Sequence, residues 1–154
     1  MSIREDIENQ YKKSIKEKNI DQTNTLRLVK SAIKDKDIAV RSDGVKNGIS
    51  DQEILSLFQN LIKQRKDSIE SFKTANRKDL IEKEKIEIEI INSFLPNQKN
   101  EKETEEAILG IIEKEQLSSL KDMGKLMNLL KNTYAGQIDM SLAGKIAKTK
   151  LTNK

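Results

Sequence analysis

The sequence contains no cysteine and no histidine. The first absence removes disulfides and thiolate metal ligands. The second removes the commonest general base and the commonest metal ligand. Tryptophan is missing as well, and aromatic residues make up only 3% of the 154 positions. Leu, Ile, Val and Met must therefore fill the interior. One proline and six glycines are too few for the frequent turns of an all-β chain. No apolar run approaches the roughly 20 residues of a membrane-spanning helix. The opening MSIREDIENQ lacks the apolar centre of a secretory signal. From these absences we expect a cytosolic protein that does not engage a membrane. Gly44 and Gly48 lack the spacing and the following Lys-Ser or Lys-Thr of a phosphate loop. No catalytic residue, metal or cofactor is expected.

What is present is charge and helical periodicity. Charged and hydrophobic residues each make up 35% of the chain, so the apolar supply is lean. A chain this polar stays disordered unless its apolar residues share a face, and here they do. Ile3, Ile7, Tyr11 and Ile15 recur every four residues, which aligns them on one side of a helix. A polar break covers Asn19 to Asn24, with Asp21 as the candidate cap. A second helix, from about 23 to 40, carries Leu26, Val29, Ile33 and Val40. The segment RSDGVKNGIS at 41–50 reads as a loop. Ser50 and Glu53 form a capping box ahead of a third helix bearing Ile54, Phe58, Leu61, Ile62, Ile69 and Phe72. After a break at Ala75-Asn76, a fourth helix runs toward Phe94-Leu95-Pro96 and stops because proline disfavours helix in the residue before it.

Residues 96–100 are the best linker candidate, and Asn100 with Glu103 repeats the capping signature. Three shorter helices follow, carrying Ile108 and Ile112, then Leu126 and Leu130, then Ala143, Ala147 and Leu151. The expected fold is all-α. A four-helix bundle-like domain over 1–95 precedes a small three-helix domain over 101–154. Bundles of four helices close a core, whereas about 55 residues is marginal for a core alone.

Several charged residues stand out. Arg65 falls on the apolar stripe of the third helix and Glu84 on that of the fourth, so an interhelical pair that fixes register is expected. Arg27 and Lys30, three apart beside an apolar stripe, are candidates to contact an anion. The run Lys63-Gln64-Arg65-Lys66 spreads around a helix axis and forms no patch. Glu82, Glu84, Glu87 and Glu89 alternate with lysines and isoleucines as on an ordinary exposed face. The net charge of +4 hides an asymmetry. Residues 97–116 hold three lysines and six glutamates, whereas 117–154 hold seven lysines and two aspartates. A basic segment of this kind suits a polyanion. Lacking arginine and rich in lysine, it favours backbone contact over base readout.

The stretches LRLVKSAI (26–33), LIKQRKDSIESF (61–72), EIEIINSFLP (87–96), SSLKDMGKLM (118–127) and GQIDMSLAGKIAK (136–148) together resemble the YqeY-like family, in order and over nearly the whole chain. That family shares its domain with the tail of the B subunit of the glutamine-dependent aminoacyl-tRNA amidotransferase. The resemblance implies two helical subdomains, the larger one N-terminal, and an association with tRNA-dependent amidation. In the amidotransferase the tail helps to hold the tRNA body, while the ATP and amide chemistry lies elsewhere. A family label of carbon–nitrogen ligase activity with glutamine as amido-N-donor is thus an association. Met123-Gly124-Lys125 and Ala143-Gly144-Lys145 match the small-domain signatures, which suggests Gly124 and Gly144 as close-packing glycines. The loop at 41–50 is longer than in many relatives.

The leading expectation is a non-catalytic module that binds tRNA through Lys121, Lys125, Lys131, Lys145, Lys148 and Lys150. The alternative is a protein-interaction module, docking on an amidotransferase or aminoacyl-tRNA synthetase subunit without touching RNA. A free-standing enzyme ranks last, because no nucleophile–base pair, nucleotide cradle or metal cluster is visible.

Overall fold

Side-chain caps set where the helices begin. In the computed structural model, which describes residues 2–152, the Ser2, Ser50 and Asn100 side chains each accept the backbone N–H three residues on. Glu5, Glu53 and Glu103 in turn accept the cap's own N–H. Two otherwise orphaned donors are satisfied at each start. The helices are α1 (Ile3–Lys16), α2 (Ile20–Arg41), α3 (Asp51–Thr74), α4 (Lys78–Asn92), α5 (Glu101–Glu115), α6 (Met123–Thr133) and α7 (Met140–Thr152), with a 3-10 turn at Leu120–Asp122 before α6. Among the described residues there is no strand, so the all-α expectation holds. Lys154, counted above in the basic segment, lies outside them.

The start of α2 differs from the sequence reading. Asn19, not Asp21, is the cap: its Oδ1 accepts the Gln22 N–H at 3.1 Å. Lys18 turns left-handed at φ 57° and closes α1, and the Thr23 hydroxyl donates to Ser14 Oγ or the Asn19 carbonyl. The polar residues that read as a break are thus the first turn of α2, satisfied locally. Asn76, left-handed at φ 56°, makes the break between α3 and α4. Asparagine tolerates this conformation better than most residues.

The chain divides at the Leu95–Pro96 bond into two compact units. In the first, α4 packs against both α2 and α3, and α1 packs on α2. Its core gathers Ile7, Val29, Ile33, Ile54, Phe58 and Ile91. Phe58 is fully buried and meets the Phe94 ring at a centroid distance of 6.1 Å and a 60° tilt. Burying such a side chain is worth about 1.5–3 kcal/mol.

The 41–50 loop is anchored by a contact between residues far apart in the sequence. The Arg4 guanidinium grips Asp37 with Nη1 and Nη2 at 2.9 and 2.8 Å. Nη2 also donates to the Ile49 carbonyl at 2.9 Å, and the Ile49 N–H donates to Asp37 Oδ1 at 2.8 Å. Ile49 is thereby held with its side chain buried in the core. The chain reaches it through Gly48, whose φ of +80° suits glycine. The Gly48 Cα also lies so close to the Asp37 carboxylate that an added Cβ would collide with it.

In the second unit, α5, α6 and α7 pack on one another around Ile108, Ile112, Leu126, Leu130, Ala143 and Ala147. Residues 96–100 are tied into this unit. The Lys99 N–H donates to the Gln137 carbonyl at 2.7 Å, and Gln98 Nε2 donates to the Gly136 carbonyl. Lys99 Nζ sits 4.9 Å from the centre of the Tyr134 ring. No described helix is long and apolar enough to cross a membrane.

Candidate nucleic-acid interface

In the second unit the six candidate lysines are carried by the 3-10 turn, α6 and α7. Asp122 shapes the turn: its carboxylate accepts the Ser118 N–H at 2.8 Å and the Ser119 N–H at 3.4 Å. Those backbone bonds, the Ser118 one foremost, hold its pKa below the ordinary aspartate value. Lys121, in that turn, donates its own N–H to Ser119 Oγ, and its side chain is exposed. The turn packs against α7. On α7 the buried stripe is Ala143, Ala147 and Leu151. A helical repeat of 100° per residue places Lys145 nearly opposite that stripe and Lys148 on its flank, 60° from Lys145. Both are exposed, as is Lys131 near the end of α6.

The six lysines are not equivalent. Lys150 Nζ lies 2.8 Å from Glu105 Oε1, and Lys125 Nζ lies 3.8 Å from Glu115 Oε2. The acidic helix α5 thus partly neutralises two of them. Among the described residues, Lys121, Lys131, Lys145 and Lys148 make no salt bridge.

The two glycines do not pack as expected. A Cβ on Gly124 would meet nothing within 4 Å, and one on Gly144 would meet only Met127 Cε at 3.8 Å, an ordinary contact. Gly124 is exposed, so no neighbouring helix demands its lack of a side chain.

In the first unit, the register pair forms with a different leading partner. Arg65 Nε donates to Glu87 Oε2 at 2.8 Å, while Glu84 Oε2 stands 3.9 Å away. Arg65 Nη1 also reaches the Leu61 carbonyl at 3.1 Å. Glu87 follows Glu84 by three residues, on the same helical face. It lies close to the Ile91 stripe and is the more buried carboxylate, so it takes the guanidinium. One cation facing two carboxylates leaves Glu84 undercompensated. Burial first, then the Glu87 charge, raises its pKa above the usual value.

The expected anion contact at Arg27 and Lys30 is largely consumed within the fold. Lys30 Nζ is 2.7 Å from Glu8 Oε2 and 4.2 Å from the Tyr11 ring centre. The Arg27 guanidinium approaches the Tyr11 hydroxyl at 3.5 Å, a marginal hydrogen bond. Lys30 is therefore committed to α1, and Arg27 alone keeps an exposed charge. Among the described residues no group of acidic side chains is arranged to hold a metal ion.

Comparison with known proteins places the chain. Residues 4–151 match the description Yqey-like protein. The chain belongs to the YqeY-like family. It is 44% identical over 71 residues to the mitochondrial protein Altered inheritance of mitochondria protein 41 of Lachancea thermotolerans, covering 46% of this chain and 36% of that one. The protein of the same name from Saccharomyces cerevisiae is 32% identical over 89 residues, covering 58% and 46%. An uncharacterized protein of Schizosaccharomyces pombe is 34% identical over 83 residues, covering 54% and 63%. This YqeY-like chain thus aligns with roughly a third to two thirds of the length of these relatives. The relatives also correct the expected cytosolic location, because those from Lachancea and Saccharomyces are mitochondrial by name. The composition that suggested a cytosolic home does not distinguish the two compartments.

Proposed function

We propose that the chain is a non-catalytic accessory module that binds the tRNA backbone through its second unit, in the service of glutamine-dependent tRNA amidation. The observation that carries this reading is the set of four exposed lysines, Lys121, Lys131, Lys145 and Lys148, without carboxylate partners among the described residues. Cations already paired at home exchange one partner for another on binding phosphate, whereas unpaired ones gain a partner outright. Lys125 and Lys150 are secondary contacts, because each would have to leave Glu115 or Glu105. The amidation link rests on the family's kinship with the amidotransferase tail.

The test is a salt series of tRNA binding by fluorescence anisotropy. Each phosphate neutralised on a duplex contributes about −0.9 to the slope of log K against log salt. Four contacts give a slope of about −3.6, and each Lys→Ala change among the four lowers its magnitude by about 0.9. Lys125→Ala and Lys150→Ala change it less. Absence of binding at 50 mM salt, or a slope indifferent to the four substitutions, refutes the reading.

A second reading, docking on a protein, is favoured by Ile15 and Ile20. These flank the α1–α2 connection at 51% and 72% exposure. A partner set that survives nuclease treatment and disappears in Ile20→Glu supports it.

A further inference from the structure

A crevice of about 400 Å³ runs along the α1–α2 contact, within the size range of small-molecule sites. It is lined below by Ile7 and Ile33, both almost completely buried. Its charged walls are ion pairs. Arg4 grips Asp37 on one side, and Lys30 holds Glu8 on the other. Each pair is neutral in itself. Lys34 and Ser31 complete the lining, both exposed and three residues apart on α2. They therefore neighbour each other, and Lys34 makes no salt bridge among the described residues. The crevice thus offers aliphatic side-chain stems, a hydroxyl donor and one uncompensated cation.

We propose that this crevice binds an organic monoanion with an apolar body, its acid group on Lys34 and Ser31 and its body against the aliphatic stems of the lining Arg4, Lys30 and Lys34 side chains. The walls argue against a more highly charged ligand. Glu8 and Asp37 are held ionised by their cations, each with a pKa below the ordinary carboxylate value because of the hydrogen bond from Lys30 or Arg4. Their cations are already engaged, so among the lining residues Lys34 is the cation left to meet an anionic group.

Decanoate, below its micelle concentration, is the probe, titrated calorimetrically into the full chain. One saturable site per chain is expected. Lys34→Ala weakens it about tenfold, Lys34→Glu weakens it further, and Ser31→Trp, which fills the crevice from an exposed position, removes it. Lys46→Ala, outside the crevice, leaves it unchanged. Decanol, inorganic phosphate and adenosine monophosphate bind at least about tenfold more weakly, the first for want of charge, the second for want of an apolar body, the third for its second charge. Circular dichroism confirms that each variant keeps its helical content. Absence of saturable decanoate binding overturns the proposal. So does binding indifferent to Lys34→Ala and Ser31→Trp, or equalled by decanol, phosphate or the nucleotide.

Discussion

Gly48→Ala is the sharpest probe of how the long loop between α2 and α3 is held. Two costs arise together. A non-glycine residue at φ +80° carries a left-handed strain of about 1–2 kcal/mol. The new Cβ also meets the Asp37 carboxylate, 2.7 Å from Cγ, and comes within 3.0 Å of Arg4 Nη2. Asp37 cannot yield cheaply, because it accepts the Arg4 fork and the Ile49 N–H at once. Charge-assisted hydrogen bonds contribute about 1.5–3 kcal/mol each when shielded. With Arg4 38% exposed, water recovers part of that, and a further loss of about 1–2 kcal/mol is reasonable. The total is about 2–4 kcal/mol, a large share of a typical stability of about 5–15 kcal/mol. Gly44 supplies the control: its φ is +85° but nothing lies within 4 Å of an added Cβ, so Gly44→Ala costs the strain alone. Urea unfolding, fitted for both units, and exchange of the Ile49 amide measure the difference. In an Asp37→Ala background the collision is gone, and Gly48→Ala falls to the Gly44→Ala cost, a coupling of at least about 1 kcal/mol. Equal effects of Gly48→Ala and Gly44→Ala, within about 0.5 kcal/mol, refute the reasoning.

Glu87→Gln destabilises the first unit by about 1–3 kcal/mol, because it weakens the shielded bond to Arg65. Glu84→Gln instead stabilises it at neutral pH. The Glu84 pKa is raised in the fold, so the folded state holds this proton more tightly. The associated stability is present below the ordinary value of 4.5 and lost as pH rises through the folded pKa. The advantage of Glu84→Gln over the parent chain should accordingly vanish in acid, as read by thermal unfolding across that range. Asp37 has the opposite sign. Its depressed pKa contributes stability above the ordinary 3.8 that disappears as pH falls through the folded value, and Asp37→Asn flattens that limb of the pH profile. Gly110→Ala in mid-α5 and Gly124→Ala in α6 raise stability by up to about 1 kcal/mol, since neither added methyl meets an atom within 4 Å. A loss at Gly124 restores its close-packing role, and a loss at Gly110 refutes the open space around it.

The helices were legible because their signals are local. The capping boxes at Ser50 and Asn100 and the four-residue recurrence of isoleucine each depend on neighbours in the chain. Pairings across the bundle were not. Arg4 and Asp37 are 33 positions apart; Asp37 interrupts the stripe of α2 between Ile33 and Val40, but nothing local names Arg4 as its partner. Arg65 interrupts a stripe too, and there Glu84 on the stripe of the next helix made an interhelical partner predictable. Choosing between Glu84 and Glu87 required the rotation of α4, since both carboxylates lie on its Arg65-facing side. The glycines mislead for a related reason: a helical glycine signals that a side chain is absent, and only the packing shows whether a neighbour required it.

The same distinction governs the lysines. Counting charge gave a basic segment from 117 onward, but affinity for a polyanion depends on where each cation ends up. The fold sets the acidic helix α5 beside part of that segment, with Glu105 meeting Lys150 and Glu115 meeting Lys125. Charge on one helix thus trims and shapes the cationic face of its neighbours. Lys145 and Lys148 escape: both are exposed, off the buried stripe of α7, and neither makes a salt bridge among the described residues. Reversing α5 therefore offers a gain-of-function check on the interface: Glu105→Gln frees Lys150 without adding a cation. If the second unit binds tRNA through its lysines, that substitution should tighten binding at low salt and steepen the salt slope. An interface confined to the first unit would leave both unchanged.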